Sequence, residues 1–301
     1  MRVDVHQHLW TEPLLAALQE RSTPPFARGG TIHTQGEAPV TIDLAAERPA
    51  ARRALLARDG IDRAIIAISS PIGVEALPRA LARPLIDAHL DGVQAAGEPF
   101  AAWGPIALDG MGAADVDAVC ERGAVGVSMP AGALSGAPAI AAAMAVLERA
   151  CAREAPLFVH PGPGVGDDPP PPGTGEPPWW PAMTRYVSQM QAAWLALEAF
   201  ARPRLPSLRI VYAMLAGCAP LMRERLAARS GAAQAPSALS FYDTSSFGAL
   251  AIDAMAGAVG MTQLLHGSDR PVVEPARHGR ERQLAENAAW LGGVSGDAVP
   301  G

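Results

Sequence analysis

There is no lysine in this chain: all 24 basic residues are arginine. A Walker phosphate loop, a Schiff-base lysine and a two-metal site bridged by a carboxylated lysine each need that residue, so all three are excluded. Cysteine is scarce as well. Cys120, Cys151 and Cys218 stand far apart with no Cys-x-x-Cys spacing, so neither a disulfide framework nor a zinc knuckle is indicated, and buried thiols are expected. No Gly-x-Ser-x-Gly elbow occurs, and Ser268 in Gly-Ser-Asp lacks the strand-to-helix setting of a nucleophile. Gly162, Gly164 and Gly166 follow an apolar run, but Asp167, Asp168 and four prolines come next where a dinucleotide fold needs a helix. A formal charge of −6 gives no electrostatic basis for nucleic-acid binding. The uncharged stretch 123–147 is interrupted by Pro130 and Pro138 and reads as strand, loop and Ala-rich helix, so no membrane span is expected. No basic segment leading into a long apolar stretch opens the chain, which makes a cytoplasmic protein the expectation.

What is present is a substantial apolar content, 49% against 18% charged residues, arranged as an unbroken alternation of apolar strand and amphipathic helix. Short apolar runs predict strands over 2–6, 61–69, 100–107, 124–129, 156–160, 208–213, 238–243 and 262–266. Helical spacing predicts helices over 44–58, 74–96, 140–153, 184–201, 220–229, 250–258 and 280–291. Eight such units, with no linker dividing residues 1–301, imply an α/β fold with one domain, a single (β/α)8 TIM barrel. Val187, Met190, Trp194, Leu197 and Ala201 recur at three- and four-residue steps, the pattern of a helix face packed on the barrel wall. Two segments break the rhythm. Residues 11–43 after strand one read as a long loop with a short helix near its start. Residues 161–181 after strand five hold Pro169 to Pro172, Gly173, Gly175, Trp179 and Trp180. Both follow strands that end in histidine, so both are expected on the catalytic rim as lids.

Four residues sit at strand ends: His6 and His8 in Val-Asp-Val-His-Gln-His, His160 in Leu-Phe-Val-His-Pro, and Asp269 in Leu-Leu-His-Gly-Ser-Asp. Positions i and i+2 of a strand project to one side, so His6 and His8 can approach one ion together. Barrel active sites form at the carboxyl ends of the strands, where strands one, five and eight deliver all four residues. Three imidazoles and a carboxylate suit one divalent metal ion with an open position for water, zinc first among the candidates.

Asp4-Val5-His6-Gln7-His8, Val159-His160-Pro161, Tyr242-Asp243-Thr244-Ser245 and Gly267-Ser268-Asp269-Arg270-Pro271 together resemble the amidohydrolase-related family, the amidohydrolase 2 group of metal-dependent hydrolases and decarboxylases, over nearly the whole chain. The resemblance implies that His6, His8, His160 and Asp269 bind the metal, that Asp269 also relays a proton, and that the protein forms a homodimer. It also exposes a departure. Family members usually carry a histidine after strand six in a His-Leu-Gly-Gly type turn, and here Met214 stands in that place, within Ala213-Met214-Leu215-Ala216-Gly217. A thioether is no base and only a weak hydrogen-bond acceptor.

Around the four ligands, Trp10, Trp179 and Trp180 are available to stack on a flat substrate or to pack in the core, and Ser245 and Met214 are expected to line the pocket. Arg270 is placed either to hold a substrate carboxylate or to pair with Asp243. His266 is read as a substitute base or as a packed histidine, and His33, His89 and His278 as surface residues. The expectation is a hydrolase acting through metal-activated water on a small, acidic or aromatic substrate. The alternatives are a non-oxidative decarboxylase of a small aromatic or unsaturated acid, and a barrel silenced by Met214.

Overall fold

The apolar runs of the sequence become the eight strands of one parallel sheet. In the computed structural model, which describes residues 1–167, 175–231 and 235–291, barrel strands are β1 (Val3–Gln7), β5 (Arg63–Ile66), β6 (Phe100–Pro105), β7 (Gly126–Pro130), β8 (Leu157–His160), β9 (Ile210–Tyr212), β10 (Ser240–Asp243) and β11 (Leu264–Leu265). They pair in that order, every neighbour parallel. The last strand meets the first: the Val5 N–H donates to the His266 carbonyl at 2.9 Å, and Gln7 bridges to Arg270. Parallel strands covered on both faces are apolar throughout, and β1, β6, β7, β8, β9, β10 and β11 are buried at every position.

Between the strands run α1 (Glu12–Gln19), α2 (Pro49–Asp59), α3 (Arg79–Ala96), α4 (Ala113–Glu121), α5 (Ala137–Ala152), α6 (Trp180–Met183), α7 (Arg185–Ala196), α8 (Arg223–Ser230), α9 (Ala249–Val259) and α10 (Glu281–Asn287). Proline at the start of α2 and α5 marks the first turn, where its missing N–H costs nothing, and Gly60 closes α2 in a left-handed conformation. The expected helix over 184–201 is interrupted, since its last turn, Leu197–Ala201, is a π-helix. None of the described helices is long and apolar enough to cross a membrane.

The excursion after β1 is more than the loop and short helix expected. Beyond α1 it carries an antiparallel three-stranded sheet, β2 (Phe26–Arg28), β3 (Thr31–His33) and β4 (Val40–Thr41). Strands of two or three residues, set among Pro24, Pro25, Gly29 and Gly30, leave no readable period. The expected lid after β8 falls partly outside the described residues, Pro169 to Pro172 and Gly173 among them.

Candidate metal centre and active site

β1 ends at the barrel mouth and hands His6 and His8 to one side of it. Their Nε2 atoms lie 3.3 Å apart. β8 supplies His160, whose ring centroid is 4.8 Å from that of His6 and 5.2 Å from that of His8. Asp269 arrives from the turn after β11. Its backbone N–H donates to the His6 carbonyl at 2.9 Å, and its Oδ1 stands 3.1 Å from His8 Nε2 and 3.5 Å from His6 Nε2. One ligand atom from each of the four residues lies within 4.8 Å of every other. The sequence therefore named a group that the fold brings together.

The opposite edge of each imidazole is held by an acceptor. His6 Nδ1 meets Asp243 Oδ2 at 2.8 Å, His8 Nδ1 the Ala67 carbonyl at 2.9 Å, and His160 Nδ1 the Pro161 carbonyl at 2.7 Å. An acceptor at Nδ1 holds a proton there, so each Nε2 offers a lone pair whenever its ring is neutral. Lone pairs facing each other across 3.3 Å repel unless positive charge lies between them. Burial works against a charged His6, yet Asp243 and Asp269 outweigh it and lift its pKa to about 9. Burial and the neighbouring His6 and His8 push His160 well below the ordinary range. Burial opposes ionisation of Asp269, but the neighbouring His6 and His8 overcome it and hold the pKa down. Such a group of three imidazoles and one carboxylate calls for a cation. Its donor set fits a divalent ion, with the Nδ1 partners fixing ring orientation as at known metal sites.

Asp243 belongs to the motif Tyr242-Asp243-Thr244-Ser245, but sequence reasoning gave it no role at the ligand group. It closes β10 and is fully buried. Its Oδ1 accepts the Ser245 hydroxyl at 2.5 Å, the Ser245 N–H at 2.8 Å and the Met214 N–H at 3.2 Å, while Oδ2 holds His6. Its position at a strand end was the available signal. Ser245 and Met214 thus enter the site by supporting Asp243. Met214 opens a left-handed run, Met214 to Cys218, with φ from 51 to 61°.

No known family profile and no curated protein matches the chain. Among solved structures, the chain is similar to Metarhizium anisopliae IDCase at 16% identity and a TM-score of 0.72, over 97% of this chain and 90% of that one. An amidohydrolase II structure aligns at 16% identity and a TM-score of 0.68, over 97% and 99%. The 5-carboxyvanillate decarboxylase of Novosphingobium aromaticivorans, complexed with manganese and 4-hydroxy-3-methoxy-5-nitrobenzoic acid, aligns at 17% identity and 0.65, over 99% and 91%. The chain shares the barrel fold of these structures.

Within the barrel, other expected contributors lie elsewhere. Arg270 pairs with neither Asp243 nor open pocket space: it forms ion pairs with Asp59 and Glu274, and its side chain is 6% exposed. The cause is local, since residue 270 bridges to β1 and its guanidinium runs to Asp59 at the end of α2. Trp10 is buried in the core, its N–H donating to Glu47. Trp179 and Trp180 stand on the surface, 58% and 40% exposed. His266 is packed, with Nε2 3.8 Å from Asp4. His33 stacks on Phe26. His89, expected at the surface, is fully buried on the inward face of α3. A cavity of about 400 Å³ opens among the connections after β1, β5 and β8 and the start of α7, and none of the expected site residues lines it.

Proposed function

We propose that the chain is a non-oxidative decarboxylase of a small aromatic or unsaturated carboxylic acid, working with one divalent ion held by His6, His8, His160 and Asp269. The observation that carries the reading is the donor geometry: three Nε2 atoms and a carboxylate oxygen converge, each imidazole locked from behind. That the barrel is shared with solved decarboxylases favours carbon–carbon cleavage over hydrolysis. When bound, a divalent ion supplies Lewis-acid charge that fixes an acid's oxygens and offsets the charge developing as the bond weakens. Zinc suits this donor set, and so does manganese, the metal of the Novosphingobium enzyme.

The remaining work falls to the chain's own groups. Loss of carbon dioxide leaves an electron pair on carbon, and a proton must take the carboxyl group's place. Asp269 is assigned that proton: Oδ1 faces the imidazoles, while Oδ2 faces the Ser246 hydroxyl at 3.3 Å. Its depressed pKa leaves Asp269 ionised beforehand, so it first takes the proton of the incoming carboxylic acid and then returns that proton to the carbon as carbon dioxide leaves. Asp243 keeps His6 in one tautomer and accepts from Met214 through the backbone, so the thioether at position 214 leaves this support intact.

The test is carbon dioxide release from a panel of hydroxybenzoates by protein reconstituted with zinc or manganese. Release by the native chain that falls at least 100-fold in Asp269→Asn, the lower bound of the general acid–base range of about 10²- to 10⁴-fold, is expected. Hydrolysis of activated esters or lactones without carbon dioxide release from any acid would overturn the decarboxylase reading in favour of the hydrolase.

A further inference from the structure

None of the four converging residues lines the rim cavity, which has a polar wall of its own. Glu37, from the connection between β3 and β4, reaches into this wall, where Arg185 and Tyr186 of α7 meet it. Arg185 Nη2 donates to Glu37 Oε1 at 2.6 Å, and the Tyr186 hydroxyl donates to the same oxygen at 2.5 Å. Two strong donors on consecutive residues thus converge on one carboxylate oxygen. Burial and the charge of Glu37 raise the Tyr186 pKa, so the phenol keeps its proton and stays a donor. Arginine presents its donors as a planar fork that matches a carboxylate. Apolar wall comes from Pro25, Ile72 and Leu77, and Gln189 ties the cavity to the loop after β8 by accepting the Gly162 N–H at 3.2 Å. About 400 Å³ accommodates a single-ring acid.

We propose that this cavity binds a small organic carboxylate through Arg185 and Tyr186, and that Glu37 occupies the same two donors until the ligand displaces it. The chemistry is carboxylate-for-carboxylate exchange: the incoming acid meets the charge and hydrogen bonds that Glu37 satisfies. The connection bearing Glu37 then swings free of α7. The donors this site uses, Arg185 and Tyr186, are not among the residues of the four-residue group.

The experiment is calorimetric titration of the full-length, chelator-treated protein with isophthalate, a flat ring bearing two carboxylates. Removing metal first keeps binding at the four-residue group out of the signal, so this result stands apart from the outcome of the decarboxylase test. Glu37→Ala is expected to tighten isophthalate binding by tenfold or more over the native chain, and Arg185→Met to abolish it. Glu37→Gln, which keeps the side chain's size, gives the same direction with a smaller gain should the alanine variant fold poorly. Tyr186→Phe weakens binding several-fold. Equal affinity in the native chain and both Glu37 variants, no binding by any of the three, or unchanged affinity in Arg185→Met would overturn the proposal.

Discussion

Asp243 shows how much of a candidate metal centre is invisible when only its proposed ligands are read. It lies 237 residues from its partner His6, and its carboxylate sets the tautomer on which the Nε2 lone pair depends. Exchange of such a supporting group typically costs about 10- to 100-fold in metal affinity. Asp243→Asn is therefore expected to weaken metal binding within that range, measured by competition with a chelating dye; unchanged affinity would contradict the role. A second buried carboxyl makes a prediction about pH. Glu75 is 1% exposed, bonded to the Ser70 hydroxyl at 2.5 Å, with Oε2 lacking a partner. Burial pushes its pKa from 4.5 up to about 7, with the Ser70 bond opposing. The folded chain thus keeps a proton that the unfolded chain releases, so this contribution is full below about pH 4.5 and is lost as pH rises through about 7. Glu75→Gln should raise Tm at pH 8 and leave it nearly unchanged at pH 4.5; the same shift at both pH values would contradict it. Among site residues, the three histidines and Asp269 were legible because apolar runs lead into them. Arg270 was misread because its partner Asp59 lies on α2, far away in sequence.

At the scale of elements, the strands of the barrel were legible and their connections were not. β6 and β8 are largely apolar over six and four residues, which a sequence displays directly. The short strands β2, β3 and β4 are visible only once they pair. The left-handed run Met214 to Cys218 is hidden for a different reason: four of its five residues carry a Cβ, and only glycine advertises positive φ. Gly217 is where that run can least tolerate change. A Cβ there would stand 2.7 Å from the Val187 carbonyl oxygen on α7, in a backbone already at φ 59°. Gly217→Ala is expected to cost on the order of 1–3 kcal/mol, the strain range for such positions, read as a lowered midpoint in urea. A native-like midpoint would show that α7 and the turn can separate freely.

The whole molecule brings these residues together through closure of the barrel. Asp4 accepts the Ser268 N–H at 3.1 Å and the Gln7 amide at 2.7 Å, while Arg52 donates to Gln7 at 2.6 Å and to Glu47 at 2.9 Å. This buried network pins β1 to the segment after β11, and so sets His6 and His8 against Asp269. His160 comes from the other side of the barrel. The ligand group therefore exists only when the first, fifth and eighth barrel strands are in place, which is why the motifs could name it while the sequence alone could not measure it. The central claim is that these four residues hold one divalent ion, and the most direct test is metal content per chain after reconstitution with manganese and gel filtration, in the native protein and in His160→Ala. The account predicts close to one ion per native chain and well under one in the variant. Equal metal in both, or none in the native chain, would contradict it.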